Sequence, residues 1–255
     1  MPEPILTVET DGPVATLTMN RPEKRNAMND ALLDALDAFF SDPPEGVRVA
    51  VLAGRGGHYC AGLDLSEHAE RDAEATLLHS RGWHAALDRV QFGGLPVVSA
   101  MTGSVIGGGL ELAAATHVRV ADPSVTFQLP EGRRGIFVGG GASVRVGRIL
   151  GPDRMTEMML TGRSYGAEEG LALGLAHYVV EEGAALAHAR ELAHRIAGNA
   201  QLSNYIVIQA LARIDDMSRG DGLFTESLAT AIAQTSADAR EGLAAFLEKR
   251  APRFR

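Results

Sequence analysis

Glu111 stands two positions after three consecutive glycines, Gly107, Gly108 and Gly109, in the otherwise apolar run VIGGGLELAA. A second triplet, Gly139 to Gly141, closes the stretch PEGRRGIFVGGG, which carries Glu131 near its start. Adjacent glycines cost backbone entropy, so the chain must turn sharply or approach something closely at each triplet. A glycine-rich turn that opens a helix presents unpaired amides and the positive end of a helix dipole, and so suits negative charge. A nucleotide phosphate fits poorly, because neither triplet leads into the Lys and Ser/Thr of a P-loop and neither matches G-x-G-x-x-G. Two uses remain open on the residues alone. One is tight helix–sheet packing through small residues; the other is a pair of main-chain amides holding an oxyanion that develops on a carbonyl.

The elements that must position these turns alternate in type. Val14 to Asn20 (VATLTMN) alternates Ala15, Leu17 and Met19 with threonines, the period of a half-buried strand. After the loop RPEKRNAMN, Asn29 is placed to cap a helix whose Leu32, Leu36, Phe39 and Phe40 share one face. Strands are expected over Val47–Gly54 and Leu95–Gly103, the second running into the first triplet, then a helix at LELAAATH and a short strand at VRVAD. The FQLP stretch, the second triplet and a helix from about Ala142 repeat the order, which indicates an α/β fold. Beyond about Gly198 the strand signals stop and amphipathic helices follow, the last capped by Ser236. Their apolar faces must pack on the core or on another subunit.

Composition narrows the class further. At 255 residues, 45% hydrophobic, the chain can bury one sizeable core. Its 24 basic against 32 acidic residues give a formal charge of -8, which recommends no nucleic-acid partner. The terminal EKRAPRFR is a local exception, gathering Lys249, Arg250, Arg253 and Arg255 into a patch that could meet an anion or simply be solvated. One cysteine, Cys60, excludes an internal disulfide, and it reads as a small buried residue. His58, His84 and His117 form no metal-ligand pattern, and no metal is expected. With no signal-like start and no run of about 18 apolar residues, a cytoplasmic protein with no membrane partner is expected.

HYCAGLDL (His58 to Leu65), GSVIGGGLEL (Gly103 to Leu112), PEGRRGIFVGGGASVRV (Pro130 to Val146) and FLEKRAPRF (Phe246 to Phe254) occur in the order and at the spacings of the crotonase, or enoyl-CoA hydratase/isomerase, superfamily. With NRPEKRNAMN near the start, the resemblance spans nearly the whole chain. Within it, PEGRRGIFVGGGASVRV and the region of MMLTGRSY are most similar to the branch containing 3-methylthioacryloyl-CoA hydratases of dimethylsulfoniopropionate breakdown. The resemblance implies a spiral of ββα units over residues 1–197 with an acyl-CoA site. It implies a helical region over 198–255 for trimerisation and CoA contacts, in a homotrimer or a hexamer built as a dimer of trimers.

The resemblance also implies roles. The amides of Leu63 and Gly108 correspond to the family's oxyanion donors, which grip a thioester oxygen. Glu111 and Glu131 match the two carboxylates of the hydratases, Glu131 protonating the α-carbon and Glu111 orienting and deprotonating water. Family members that isomerise double bonds or only bind acyl-CoA commonly lack one or both, so the pair favours a hydratase, run in either direction. Coenzyme A is part of the substrate and no separate cofactor is implied. Lys24 and Arg25 match the family's CoA-contacting loop, Leu65 follows the GLD turn near the adenine, and Phe246 and Lys249 match an aromatic and a lysine supplied by a neighbouring subunit's last helix. Two departures stand out. FVGGGA replaces the usual isoleucine–proline–glycine turn, so Val138 and Gly139 are expected to reshape the acyl pocket. Arg133 and Arg134 flank Glu131, where one could lower its pKa or both could face solvent.

Overall fold

The computed structural model describes residues 3–66 and 71–254. A hairpin of β1 (Leu6–Asp11) and β2 (Val14–Met19) is followed by α1 (Asp30–Ser41), β3 (Val49–Gly54) and the long α2 (Ala73–Phe92). Then β4 (Val97–Met101), β5 (Ser104–Ile106) and α3 (Gly108–Ala114) form one ββα unit. The next unit consists of β6 (Val118–Ala121), β7 (Thr126–Gln128), a 3-10 turn at Glu131–Arg134 and α4 (Ala142–Leu150). Next come α5 (Pro152–Thr161), α6 (Ala167–Ala172), β8 (Tyr178–Val179) and α7 (Ala185–Ala197). The chain closes with α8 (Gln201–Ile214), α9 (Arg219–Gln234) and α10 (Ala237–Leu247). Asn29 and Ser236 cap α1 and α10 through the amides of Leu32 and Ala239, as their types and positions suggest.

The main sheet has the order β1-β2-β3-β4-β6-β8, antiparallel only at the β1–β2 hairpin. β2 is not half-buried, as its alternation suggests: Val14, Ala15, Thr16, Leu17 and Met19 are all buried. Both faces of a parallel sheet are covered by its crossover helices, which removes the solvated face that the threonines seemed to mark. Ala15, Leu17 and Met19 lie in the core with Leu32, Leu36 and Phe40 of α1. On the other face Val14, Val49, Val51, Val98 and Val120 pack with Ala185, Ala189, Leu192 and Ala193 of α7. Thr16 accepts a hydrogen bond from Arg190 of that helix at 3.2 Å.

A second, thinner ladder runs beside the sheet and carries the site. β5 pairs with β7 in parallel, and single bridges extend it: Cys60 to Val105, Met28 to Leu63, and Phe127 to Tyr165. β2, β3, β4 and β6 therefore each pass their chain to this ladder before the next helix begins. The outer segment, RPEKRNAMN, is fixed by Asn26. This residue is fully buried, and its side chain accepts from the Arg21 amide at 2.9 Å. It donates to the Arg55 and His58 carbonyls at 2.8 and 2.6 Å. Asn26 also adopts a left-handed conformation with φ 56, which asparagine tolerates better than alanine. Asn26→Ala leaves the buried Arg21 amide and the partly buried Arg55 and His58 carbonyls without these partners and should lower unfolding free energy by about 2–3 kcal/mol in denaturant titrations.

Candidate active site

Two loops of the thin ladder meet at the first glycine triplet. The Cys60 amide donates to the Ser104 carbonyl and the Ile106 amide to the Cys60 carbonyl, which ties the CAGL turn to the entry of α3. The closeness requires glycine. A Cβ at Gly109 would lie 2.2 Å from the Cys60 carbonyl oxygen, and Gly107 has φ +53. A Cβ on Gly108 would stand 3.5 Å from the Leu63 nitrogen, and one on Gly62 would stand 3.3 Å from the Gly108 nitrogen. The two amides thus lie side by side. Among the described residues neither finds an acceptor, whereas Gly107, Leu110 and Glu111 all donate to carbonyls. Asp64 locks the loop beyond them by accepting from Arg21 at 2.8 Å and from the Ser66 hydroxyl at 2.6 Å. Burial opposes its charge, yet these bonds hold its carboxyl down at about 2.

Glu111 lies in the first turn of α3 and is 4% exposed. Its Oε1 accepts from the amides of Gly140 and Ala142 at 2.8 and 3.0 Å. The second triplet does hold an anion at the start of a helix, and that anion is the carboxylate of the first turn's own glutamate. Arg145, 9% exposed, supports the turn by donating to the Gly140 carbonyl at 3.0 Å, to Gln91 at 2.7 Å and to Asp88. Burial pushes the Glu111 pKa up, opposed by those two amides and by the Arg145 charge.

Glu131 opens the 3-10 turn after β7 and is 7% exposed. A Cβ on Gly107 would meet its Oε1 at 2.9 Å, so this carboxyl faces the first triplet. Its Oε2 is buried and among the described residues has no hydrogen-bond partner. Burial, with the Glu111 charge adding to it, raises its pKa to about 7. Among the described residues the site therefore holds two neighbouring unpaired amides and two buried carboxyls that repel each other, one clamped by two amides of the second triplet and one with an oxygen that meets no donor. Such an arrangement can stabilise charge on a carbonyl oxygen and move protons beside it.

The chain's relatives agree with that chemistry. The enoyl-CoA hydratase/isomerase family profile matches residues 9–255. The chain belongs to this family. It is 35% identical over 254 residues to a 2,3-dehydroadipyl-CoA hydratase of Escherichia coli (strain K12), covering 98% of both chains. It is 31% identical to an enoyl-CoA hydratase of Mycobacterium tuberculosis, covering 98% of this chain and 96% of the relative. A solved structure from Rhodopseudomonas palustris CGA009, provisionally named an enoyl-CoA hydratase, superposes with a TM-score of 0.94 at 50% identity, covering 96% and 95% of the two chains. The protein is thus an enzyme of the crotonase-type hydratases with their α/β spiral fold.

The sequence-derived site residues of this family member fall into three groups. Leu63, Gly108, Glu111 and Glu131 come together as described. Lys24, Arg25 and Leu65 share an exposed rim beside them: the Ala61 amide donates to the Arg25 carbonyl at 3.0 Å, and Lys24 Nζ donates to Ser66 at 2.7 Å. Phe246 in the last turn of α10 and Lys249 just beyond its end are both exposed, and among the described residues no hydrogen bond, ion pair or ring contact links them to that rim.

The terminal patch is less cationic than its sequence. Arg250 is paired with Glu241 and Glu248, and Arg255 lies outside the described residues. Arg133 and Arg134 are both exposed, Arg133 donating to the Thr161 carbonyl at 2.9 Å, and the nearby Arg134 charge does not offset the burial of Glu131. Cys60 is fully buried and its thiol is pushed up to about 12 by burial. Among the described residues no three His, Cys, Asp or Glu side chains cluster to hold a metal.

Sequence reasoning missed Arg145 and Trp83. The first was visible as a cation in the first turn after a glycine triplet, but nothing showed it turned back under that triplet. Trp83 lies in the stretch between Leu65 and Leu95, to which no element was assigned, and its ring touches both triplets.

The raised pKa of Glu131 has a measurable consequence for stability. Its folded-state value of about 7 lies above the model-compound 4.5. The associated stability is thus fully present below the lower value and is lost as pH rises through the higher. Glu131→Gln removes this titration. Denaturant unfolding of the two proteins should show wild type losing roughly 2–3 kcal/mol relative to the variant between about pH 5 and pH 8.

Proposed function

We propose that the protein adds water reversibly across the double bond of a 2-enoyl-CoA thioester, with Leu63 and Gly108 as oxyanion donors and Glu111 and Glu131 as its proton-transfer groups. The observation that carries the reading is the adjacency of two main-chain amides without acceptors to two buried glutamates. In hydration, the water oxygen bonds to the β-carbon while Glu111 takes a proton from it. The π electrons move through the α-carbon to the thioester oxygen, giving an enolate between the Leu63 and Gly108 amides. Each such donor is worth about 2.7–4 kcal/mol to the transition state. Glu131 then delivers its proton to the α-carbon and the thioester carbonyl re-forms. The proton gained by Glu111 returns to Glu131 before the next turnover.

The division of roles rests on the donors. Two amides on Glu111 favour its ionised form, suited to a base, while Glu131 has a buried oxygen with no donor and keeps its proton to about neutral pH. The exposed rim of Lys24, Arg25 and Leu65 suits the CoA portion of the substrate. The large apolar side chains left exposed on α8 to α10, among them Leu211, Phe224, Leu228, Ile232 and Phe246, support assembly of residues 198–255 into a trimer or a dimer of trimers, with Phe246 and Lys249 reaching a neighbour's CoA. A cytoplasmic setting suits its one buried free thiol; no described helix is long and apolar enough to cross a membrane. Crotonyl-CoA and 3-methylthioacryloyl-CoA are the acyl groups to test first, the second on the likeness of the 130–146 stretch.

Loss of the conjugated enoyl-thioester absorbance measures turnover directly. Glu111→Gln and Glu131→Gln should each lower kcat by about 10²–10⁴-fold while the proteins still bind the substrate. The alkaline limb of kcat/KM for hydration should lie near the Glu131 value of about 7. Full activity in either variant defeats the assignment. Phe246→Ala combined with Lys249→Ala should raise KM with kcat little changed, since both would grip the unreacting end of the substrate.

A further inference from the structure

One turn of α2 reaches into the site. The Ser80 hydroxyl donates to the Gly139 carbonyl at 2.6 Å, and three residues further on, one helical turn along the same face, stands Trp83, 4% exposed. A Cβ placed on Gly108 would lie 2.9 and 3.0 Å from the indole Cζ3 and Cη2, and one on Gly140 would lie 3.0 Å from Cε3. These are consecutive atoms of the benzo edge. A single aromatic edge is therefore packed against both the turn that presents the Gly108 amide and the turn whose amide clamps Glu111. An acyl group whose carbonyl lies at Leu63 and Gly108, and whose β-carbon lies at Glu111, would run beside that edge, and further methylenes would meet the ring.

We propose that Trp83 sets the acyl-chain length of the enzyme, admitting short enoyl chains and turning away long ones; this rests on the hydratase reading above. The ring is held by shape alone. Its Nε1, on the opposite side of the indole from the benzo edge, is buried and among the described residues has no acceptor, and its aromatic neighbour His79 stands edge-on with centroids 6.3 Å apart. Because the benzo edge lies against both the Gly108 and the Gly140 turns, the size of this side chain should limit the room beyond the β-carbon, and shortening it should lengthen the acceptable chain.

The protein supplies its own probe, because Trp83 is its only tryptophan. Wild-type emission should be unchanged by CoA alone and altered by butyryl-CoA, with octanoyl-CoA binding at least about tenfold more weakly than butyryl-CoA. In Trp83→Ala, calorimetric titration should move the octanoyl-to-butyryl affinity ratio about tenfold or more toward the longer chain, with Trp83→Phe intermediate. An emission response identical for CoA and butyryl-CoA overturns the proposal. So does a chain-length ratio unchanged in both variants. Should the alanine variant not fold, the wild-type emission and the phenylalanine variant still decide. These saturated thioesters are bound and not hydrated, so the outcome stands apart from the crotonyl-CoA assay, where failure of the hydratase reading would show.

Discussion

The bond between the Glu111 carboxylate and the amides of Gly140 and Ala142 is the contact on which the site depends. It joins the two ββα units at their glycine turns, so that the start of α4 is satisfied by a side chain of α3. A helix N-terminus leaves its first amides without partners, and a buried carboxylate needs donors; here each supplies what the other lacks. The buried Arg145 completes the arrangement from beneath, holding the Gly140 carbonyl whose own amide faces the glutamate. Without those donors, burial alone would neutralise Glu111 and leave α4 uncapped.

The contrast with Glu131 follows from the same accounting. Its burial is comparable, yet one of its oxygens receives no hydrogen bond and the Glu111 charge raises its pKa further. Two carboxyls close enough to repel do not both ionise cheaply, so the pair is disposed to share one proton. The fold determines which of them is better placed to keep it, because two amides converge on Glu111 while one oxygen of Glu131 meets no donor among the described residues. A proposed base and a proposed acid thus arise from two residues of the same type, distinguished by the backbone around them.

Much of this was legible in the sequence because glycine turns and capping residues act locally. The strand-turn-helix order, the caps at Asn29 and Ser236, and the placement of Glu111 in the first turn of α3 all follow from neighbours along the chain. What was not legible depends on contacts distant in sequence. Thr16 of β2 reads as part of a solvated face until α7, about 170 residues away, covers it. The α2 helix was missed because its buried positions, Trp83, Ala86, Leu87 and Val90, fall only in its second half, while Leu77 and Leu78 of the first half are exposed and blur the apolar face. Likewise, Arg250 reads as a free cation until Glu241 is seen folded against it. Pairing of that kind leaves no trace in spacing.

The use of main-chain donors determines where the proposed site is vulnerable. Replacing the Leu63 side chain does not remove its amide, and no substitution at Gly108 except proline would delete that N–H. The path of the chain is more sensitive than the identity of the donor residues. Gly62, with φ +95 and the Ile106 carbonyl oxygen 2.7 Å from where a Cβ would stand, and Gly109, where the Cys60 carbonyl oxygen would be 2.2 Å away, have no space for a side chain without separating the two amides. The glycines therefore matter chiefly as spacers. They let two loops of the thin ladder come close enough for adjacent peptide groups to address one oxygen atom, and a substitution that preserved every polar side chain of the site could still remove that geometry.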